Sequence, residues 1–137
     1  MCMYDANDCR PEWYRESHPK ARKPHKCEEC RRDIHPGEVY QNVAGKWEGD
    51  VSEHKMCRHC RRAADLLVQE CDGYVLGGVK EDLQEHVGER EYSWGRAAAR
   101  LLVGMDRKWM RFDGKGLMDL PVIRYATEQG TVAIPAE

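Results

Sequence analysis

Read for its apolar spacing, the second half of this chain is helical and the first half is not. Cys57 leads into Arg58-His59-Cys60-Arg61-Arg62-Ala63-Ala64-Asp65-Leu66-Leu67-Val68, a run without Gly or Pro and rich in helix formers, which Cys71-Asp72-Gly73-Tyr74 brings to an end. After the Gly77-Gly78 break, residues 79–91 read as a short helix. Val79, Leu83 and Val87 recur at i, i+4 and i+8, and Glu81, Asp82, Glu85 and Glu89 face outward. Residues 93–112 predict the last helix, with Ser93 as N-cap. At about 100° per residue, Trp94, Ala98, Leu101, Leu102, Met105, Trp109 and Phe112 gather on one side, and Arg96, Arg100, Arg107 and Arg111 fall nearly opposite. Gly104, placed with the arginines, weakens that helix and lets something approach closely.

Shorter signals govern the rest. Pro36-Gly37 marks a turn, Val39 and Tyr40 start a strand, and Ala44-Gly45-Lys46 is the expected turn into a second strand carrying Trp47 and reaching Val51. Residues 1–26 predict an irregular arm with one turn of helix over Pro11-Glu12-Trp13-Tyr14-Arg15-Glu16, pinned to the remainder by Trp13 and Tyr14. The tail from 113 carries turns at Asp113-Gly114 and Lys115-Gly116 and a strand over Val122-Ile123-Arg124-Tyr125, and is otherwise irregular. Gly114-Lys115-Gly116 lacks the spacing and the following Ser/Thr of a phosphate loop.

Two Cys-x-x-Cys pairs organise this pattern. Cys27/Cys30 and Cys57/Cys60 flank the expected hairpin, with 26 residues (31–56) between them. A tight turn points both sulfurs of each pair to one side, and two such pairs complete the tetrahedral all-sulfur shell that Zn²⁺ accepts. The second pair falls at a helix N-terminus, whose free N–H groups and positive dipole end offset thiolate charge. The fold class expected is therefore α+β: a small zinc-stapled module of treble-clef order (knuckle, β-hairpin, helix) over 27–75, an arm over 1–26 packed on it, a helical extension over 76–112 and a tail over 113–137. One structural zinc is the expected cofactor. Cys2, Cys9, His18 and His25 follow no ligand spacing that supports a second site. Cys71, facing inward with Leu67, reads as a small core residue.

Composition narrows the partners. With 41% hydrophobic residues, a single Phe and 34% charged residues, the core is thin and the metal supplements it. A net charge of -2 gives no global drive toward nucleic acid or anionic membrane, so such affinity has to come from local patches. The patches available are Lys20, Arg22, Lys23 and Lys26 in the arm and the four arginines of the last helix. No apolar run is long enough to span a bilayer, residues 1–26 are charged throughout and do not read as a secretory leader, and seven cysteines with four committed to metal imply a reducing cytoplasm rather than a disulfide framework.

The segments Ala21-Arg22-Lys23-Pro24-His25-Lys26-Cys27-Glu28-Glu29-Cys30, Ile34-His35-Pro36-Gly37-Glu38-Val39-Tyr40 and Trp47-Glu48-Gly49, followed by the second Cys-x-x-Cys, resemble a group of small, mostly uncharacterised zinc-finger proteins of phages and prophages. The resemblance spans roughly residues 10–90. It implies Cys27, Cys30, Cys57 and Cys60 as ligands and an accessory protein acting inside a bacterium, and it brings no established activity. Three classes of function are open to such a chain. The first is a non-catalytic zinc module that binds a host or phage protein and modulates a process such as transcription or defence. The second is a DNA- or RNA-binding regulator using the basic arm and the arginine helix; the acidic 79–91 segment and the lack of interleaved aromatic and basic residues weigh against it. The third is a treble-clef endonuclease with His35 and Asn42. There His35 follows Cys30 too closely, Arg61, Arg62 and Asp65 stand where a metal-binding His belongs, and four sulfurs leave zinc no position for water.

Overall fold

The computed structural model describes residues 11–87 and 94–135. Among the described residues it is a mixed α+β structure of three helices and three small sheets. The knuckle comes first: β2 (His25–Lys26) and β3 (Asp33–Ile34) pair antiparallel around Cys27 and Cys30. The loop closes through Cys27 N–H to Arg32 O (2.9 Å) and Arg31 N–H to Cys27 O (3.0 Å), with Arg31 left-handed at φ 70°.

A long hairpin follows. β4 (Tyr40–Trp47) and β5 (Asp50–Cys57) are in register from Tyr40 opposite Cys57 to Trp47 opposite Asp50. The reversal is at Glu48-Gly49, φ 52° and 85°, and not at Ala44-Gly45-Lys46 as expected. Two left-handed residues make the tight turn whose twist matches that of the strands, whereas Gly45 lies in mid-strand and is buried. The first residues of the described chain are also strand, not a helical turn: β1 (Trp13–Ser17) pairs along its whole length with the other edge of β4. Trp13 and Tyr14 are 43% and 39% exposed, so the backbone ladder holds this segment rather than the two aromatic rings.

The helix α1 (Arg58–Cys71) forms where expected, capped by the Cys57 side chain at its start and by Asp72 in the left-handed region at its end. Its buried face carries Ala63, Ala64, Leu66 and Leu67. Cys71 does not join that face: it is exposed, with Sγ 3.2 Å from His86 Nε2. In α2 (Val79–His86), Val79 and Leu83 are buried and Val87 is 42% exposed; the expected continuation over 88–91, like Ser93, lies outside the described residues.

The last helix, α3 (Trp94–Asp106), is shorter than its apolar spacing predicts. Trp109 N–H reaches Gly104 O (2.7 Å) and Lys108 N–H reaches Met105 O (2.9 Å), the paired bonds of a Schellman closure with Lys108 left-handed at φ 52°. The chain turns back there. Arg107 and Arg111 consequently leave the helix, and no four-arginine face exists. Phe112, expected in the core, is 76% exposed. The tail forms a hairpin, β6 (Ile123–Thr127) with β7 (Gly130–Ile134), rather than an irregular end. Buried Arg62 of α1 clamps it, donating to the carbonyls of Pro121 (3.3 Å), Ile134 (2.7 Å) and Pro135 (2.7 Å).

One buried core runs from Ala21 to Tyr125 and includes the four cysteines. Gly104 is what lets Trp109 enter it. A Cβ added at Gly104 would stand 2.2 Å from Trp109 Cζ3. Replacing a helical Gly by Ala ordinarily stabilises by about 1 kcal/mol. Here Gly104→Ala is expected to destabilise by roughly 2 kcal/mol because the ring must shift out of a packed site. Urea unfolding reads the sign directly, and a stabilised variant would show that the ring is not seated there.

Candidate metal centre

The four sulfurs of Cys27, Cys30, Cys57 and Cys60 converge, all lying within 4.8 Å of one another, and three of the residues are fully buried. Around one zinc at about 2.3 Å, tetrahedral sulfurs stand about 3.8 Å apart. Cys30 Sγ and Cys57 Sγ are 3.9 Å apart. Among the described residues this is the cluster of metal-ligating side chains. A soft, tetrahedral, all-sulfur donor set suits Zn²⁺ or an iron–sulfur centre and not a hard oxygen-seeking cation.

Local structure brings each ligand to its place. The left-handed turn at Arg31 folds the knuckle back and aims Cys27 and Cys30 inward. Glu28 ties the knuckle to β5, its N–H donating to Lys55 O (2.8 Å) and its carboxylate accepting from Lys55 N–H (2.7 Å). Cys57 closes β5 and caps α1, and Cys60 follows in the first turn.

The electrostatics are those of a site that needs compensation. Hydrogen bonds from Cys30, then Cys57 and Cys60, hold the Cys27 thiol well below its ordinary range, whereas burial and the neighbouring sulfurs push Cys60 well up. Four thiolates in so dry a space repel one another, and a divalent cation removes the conflict. Three N–H groups also point at the sulfurs: Cys57 N–H at Cys27 Sγ (3.3 Å), Cys60 N–H at Cys57 Sγ (3.4 Å) and the Trp109 indole N–H at Cys60 Sγ (3.2 Å). The backbone donors at the helix N-terminus were expected from the spacing. Trp109 was not, because the turn that returns it depends on a left-handed Lys108, for which the sequence has no Gly or Asn as a signal.

A second set of buried polar groups braces the site. Glu29, inside the first Cys-x-x-Cys, accepts from Gly77 N–H (2.6 Å) and Val79 N–H (3.1 Å), and its Oε2 lies 2.8 Å from Nε2 of buried His54. It thereby fixes the start of α2 to the knuckle. Arg32 pairs with Glu38 (2.8 and 3.0 Å) and donates to His59 Nδ1 (3.3 Å), while His59 Nε2–H donates to Met118 O (2.6 Å). Burial holds the His59 imidazole below its ordinary pKa, which matches this neutral, donor-and-acceptor use.

The other candidate residues separate. Lys20, Arg22 and Lys23 are exposed around a shallow cleft with His25 and Tyr40, and Lys26 pairs with Asp33 at 2.7 Å. Arg96 and Arg100 remain exposed on α3. Arg107 is spent locally, on the carbonyls of Met110 (3.2 Å) and Arg111 (3.1 Å) and over the Phe112 ring at 4.1 Å, and Arg111 pairs with Asp113 at 2.8 Å. His35 is exposed after β3 and Asn42 sits on β4; neither joins the cysteine cluster. Cys2 and Cys9 lie outside the described residues, and among those described His18 contacts Glu16 and His25 contacts Tyr40. Cys71 is no activated thiol, since burial and then Asp82 and Glu70 push it up.

Fold and site together define a small α+β protein built around a buried four-cysteine cluster whose spacing suits a metal ion. No protein-family model matches the chain, and neither a curated protein nor a solved structure matches it. No helix among the described residues is long and apolar enough to cross a membrane.

Glu29 supplies the test of this bracing. Glu29→Ala leaves the N–H groups of Gly77 and buried Val79 without their acceptor and removes the carboxylate beside buried His54, and is expected to cost about 3 kcal/mol. Denaturant unfolding of the metal-loaded protein measures it. A loss under about 0.5 kcal/mol, the size of an ordinary surface change, would mean that the carboxylate is not a staple.

Proposed function

We propose that this chain is a non-catalytic, zinc-stapled accessory protein of a phage or prophage, working in the bacterial cytoplasm. It binds a host or phage protein and so modulates a host process such as defence or transcription. The observation that carries the non-catalytic reading is the donor set. Four buried sulfurs close a tetrahedral shell and leave no coordination position for water or substrate, so the ion serves folding. Zinc is the ion that fits a structural all-cysteine shell without redox chemistry. The order of knuckle, hairpin and helix, with the second pair at the helix start, is that of a treble-clef finger. The phage attribution is supported by the sequence resemblance alone.

A second reading, binding to DNA or RNA, is favoured by one feature: Lys20, Arg22 and Lys23 lie exposed together and take part in no ion pair among the described residues. Three unpaired cations suit a phosphate backbone. The net charge of -2 and the exposed Glu81 and Glu85 of α2 oppose it.

Metal analysis of the purified protein is expected to give a single zinc per chain. Cys27→Ser, or the same change at Cys30, Cys57 or Cys60, should release it and unfold the hairpin too, because a site present only in the folded state contributes on the order of 10 kcal/mol to folding. A stoichiometry of two would bring Cys2 and Cys9 into play, and a folded zinc-free chain would remove the staple.

Affinity capture from a bacterial host lysate, with and without nuclease, decides between the partner classes. The protein-binding reading expects the same proteins in both arms. Capture abolished by nuclease, together with retention on a DNA column that collapses with salt and with Lys20→Glu/Lys23→Glu, would establish the second reading instead.

A further inference from the structure

Beside the metal centre, α3 and β6 enclose an apolar cavity of about 320 Å³ that opens to the surface. Its floor is built from buried Leu101, Trp109 and Ile123. Its rim carries Val103, Phe112 and Val122, which are 48%, 76% and 84% exposed. Single apolar residues on a surface mean little, but three around one cavity mark a binding site. The floor is preformed, because Trp109 is held from two sides: its indole N–H donates to Cys60 Sγ at 3.2 Å, and its ring lies against Gly104.

The charges at the rim specify the occupant. Arg100 and Arg124 both line the opening, both are exposed, and neither side chain has an ion pair or hydrogen bond among the described residues. Asp119 is the carboxylate that lines it. Arginine forks left unpaired beside an apolar cavity match a carboxylate-bearing ligand with an apolar body. The cavity is at the small end of the range for ligand sites, roughly 300 to 1,000 Å³. It admits one or two large side chains rather than a folded surface. A phosphate backbone has no use for so apolar a floor, and the unpaired lysines that would suit one are in the Lys20 to Lys23 cleft.

We infer that the α3–β6 groove is a docking site for an acidic peptide segment of a partner protein, which seats an aromatic or aliphatic side chain over Trp109 and pairs flanking Asp or Glu with Arg100 and Arg124. This rests on the reading that the chain acts by binding protein, and it names where and what chemistry.

The zinc-loaded full chain is used to select from a random twelve-residue peptide library. The enriched peptides are then titrated by fluorescence anisotropy against wild type, Val122→Asp and Arg100→Glu/Arg124→Glu, all exposed positions whose zinc content and melting report intact folding. Enriched sequences are expected to join Trp, Phe or Leu to Asp or Glu. Val122→Asp and the double variant should each weaken binding at least tenfold, and a peptide with its acids changed to Lys should regain affinity for the double variant only. Basic or absent consensus overturns the proposal. Selected peptides that bind all variants equally place the protein-binding surface elsewhere, so the groove fails while the function stands. A nuclease-sensitive lysate capture fails the function itself. Two further arms name other occupants, and either result overturns the peptide: a wild-type dimer dissolved by Val122→Asp, meaning a second copy, or rim-dependent dodecanoate binding with no peptide enriched, meaning a lipid acid.

Discussion

Four sulfurs buried within 4.8 Å of one another are tolerable only if their charge is compensated, and the path of the chain follows from that requirement. Four thiolates around a divalent cation still leave two negative charges in a dry interior, where uncompensated charge is expensive. The protein answers with N–H groups from three places: the end of β5, the first turn of α1 and the indole of Trp109. The first two come with the position of a Cys-x-x-Cys at a helix N-terminus. The third obliges α3 to stop at Asp106 and turn back through the left-handed Lys108 and Trp109, φ 52° and 59°, conformations that cost non-glycine residues on the order of 1 kcal/mol or more each. The buried indole and its contact with the sulfur offset that strain.

Charged side chains do in this protein what a larger apolar core does in others. Glu29 leaves the knuckle to hold the start of α2, Arg32 joins the knuckle to Glu38 and His59, and Arg62 leaves α1 to bind three carbonyls of the last hairpin and its flanks. Each places a formal charge where water cannot reach, and each is matched by several partners, the condition under which buried charge is tolerated. Directional bonds of this kind also select one arrangement of the short elements over others that would bury similar apolar area. Short strands and a chain with one Phe offer little else to choose between them.

How far the sequence discloses this differs from element to element. The convergence of the four cysteines, α1 and the presence of a hairpin were legible because each has a local code: paired Cys-x-x-Cys spacing, an unbroken run of helix formers, and Pro-Gly followed by Val39 and Tyr40. The hairpin turn was misplaced because Ala44-Gly45-Lys46 looks like a turn in composition, while Glu48-Gly49 is one by conformation. The strand at 13–17 was missed because an edge strand takes its stability from the neighbour it pairs with, which lies 25 to 33 residues away. The end of α3 was hidden for a further reason. Trp109 and Phe112 fit the helical stripe perfectly well, and only a contact with Cys60, 49 residues away, decides that the helix does not reach them. Nothing local could report Arg62 either, since its partners are carbonyls near the chain's other end.

Trp109 then joins two parts of the molecule that the sequence presents separately. Its indole N–H donates to Cys60 Sγ, and the ring itself forms part of the floor of the groove between α3 and β6. Gly104 admits the ring, and the turn that brings it home throws Phe112 out to the rim and diverts Arg107 onto the Phe112 face. The exposed apolar rim is therefore a consequence of how the indole reaches the cysteine cluster, not an independent feature of a helix surface. Arg100, still on the helix, and Arg124, arriving from β6, are brought to that rim by the same return of the chain. The packing around the four cysteines thus determines where the surface is apolar and where it is cationic.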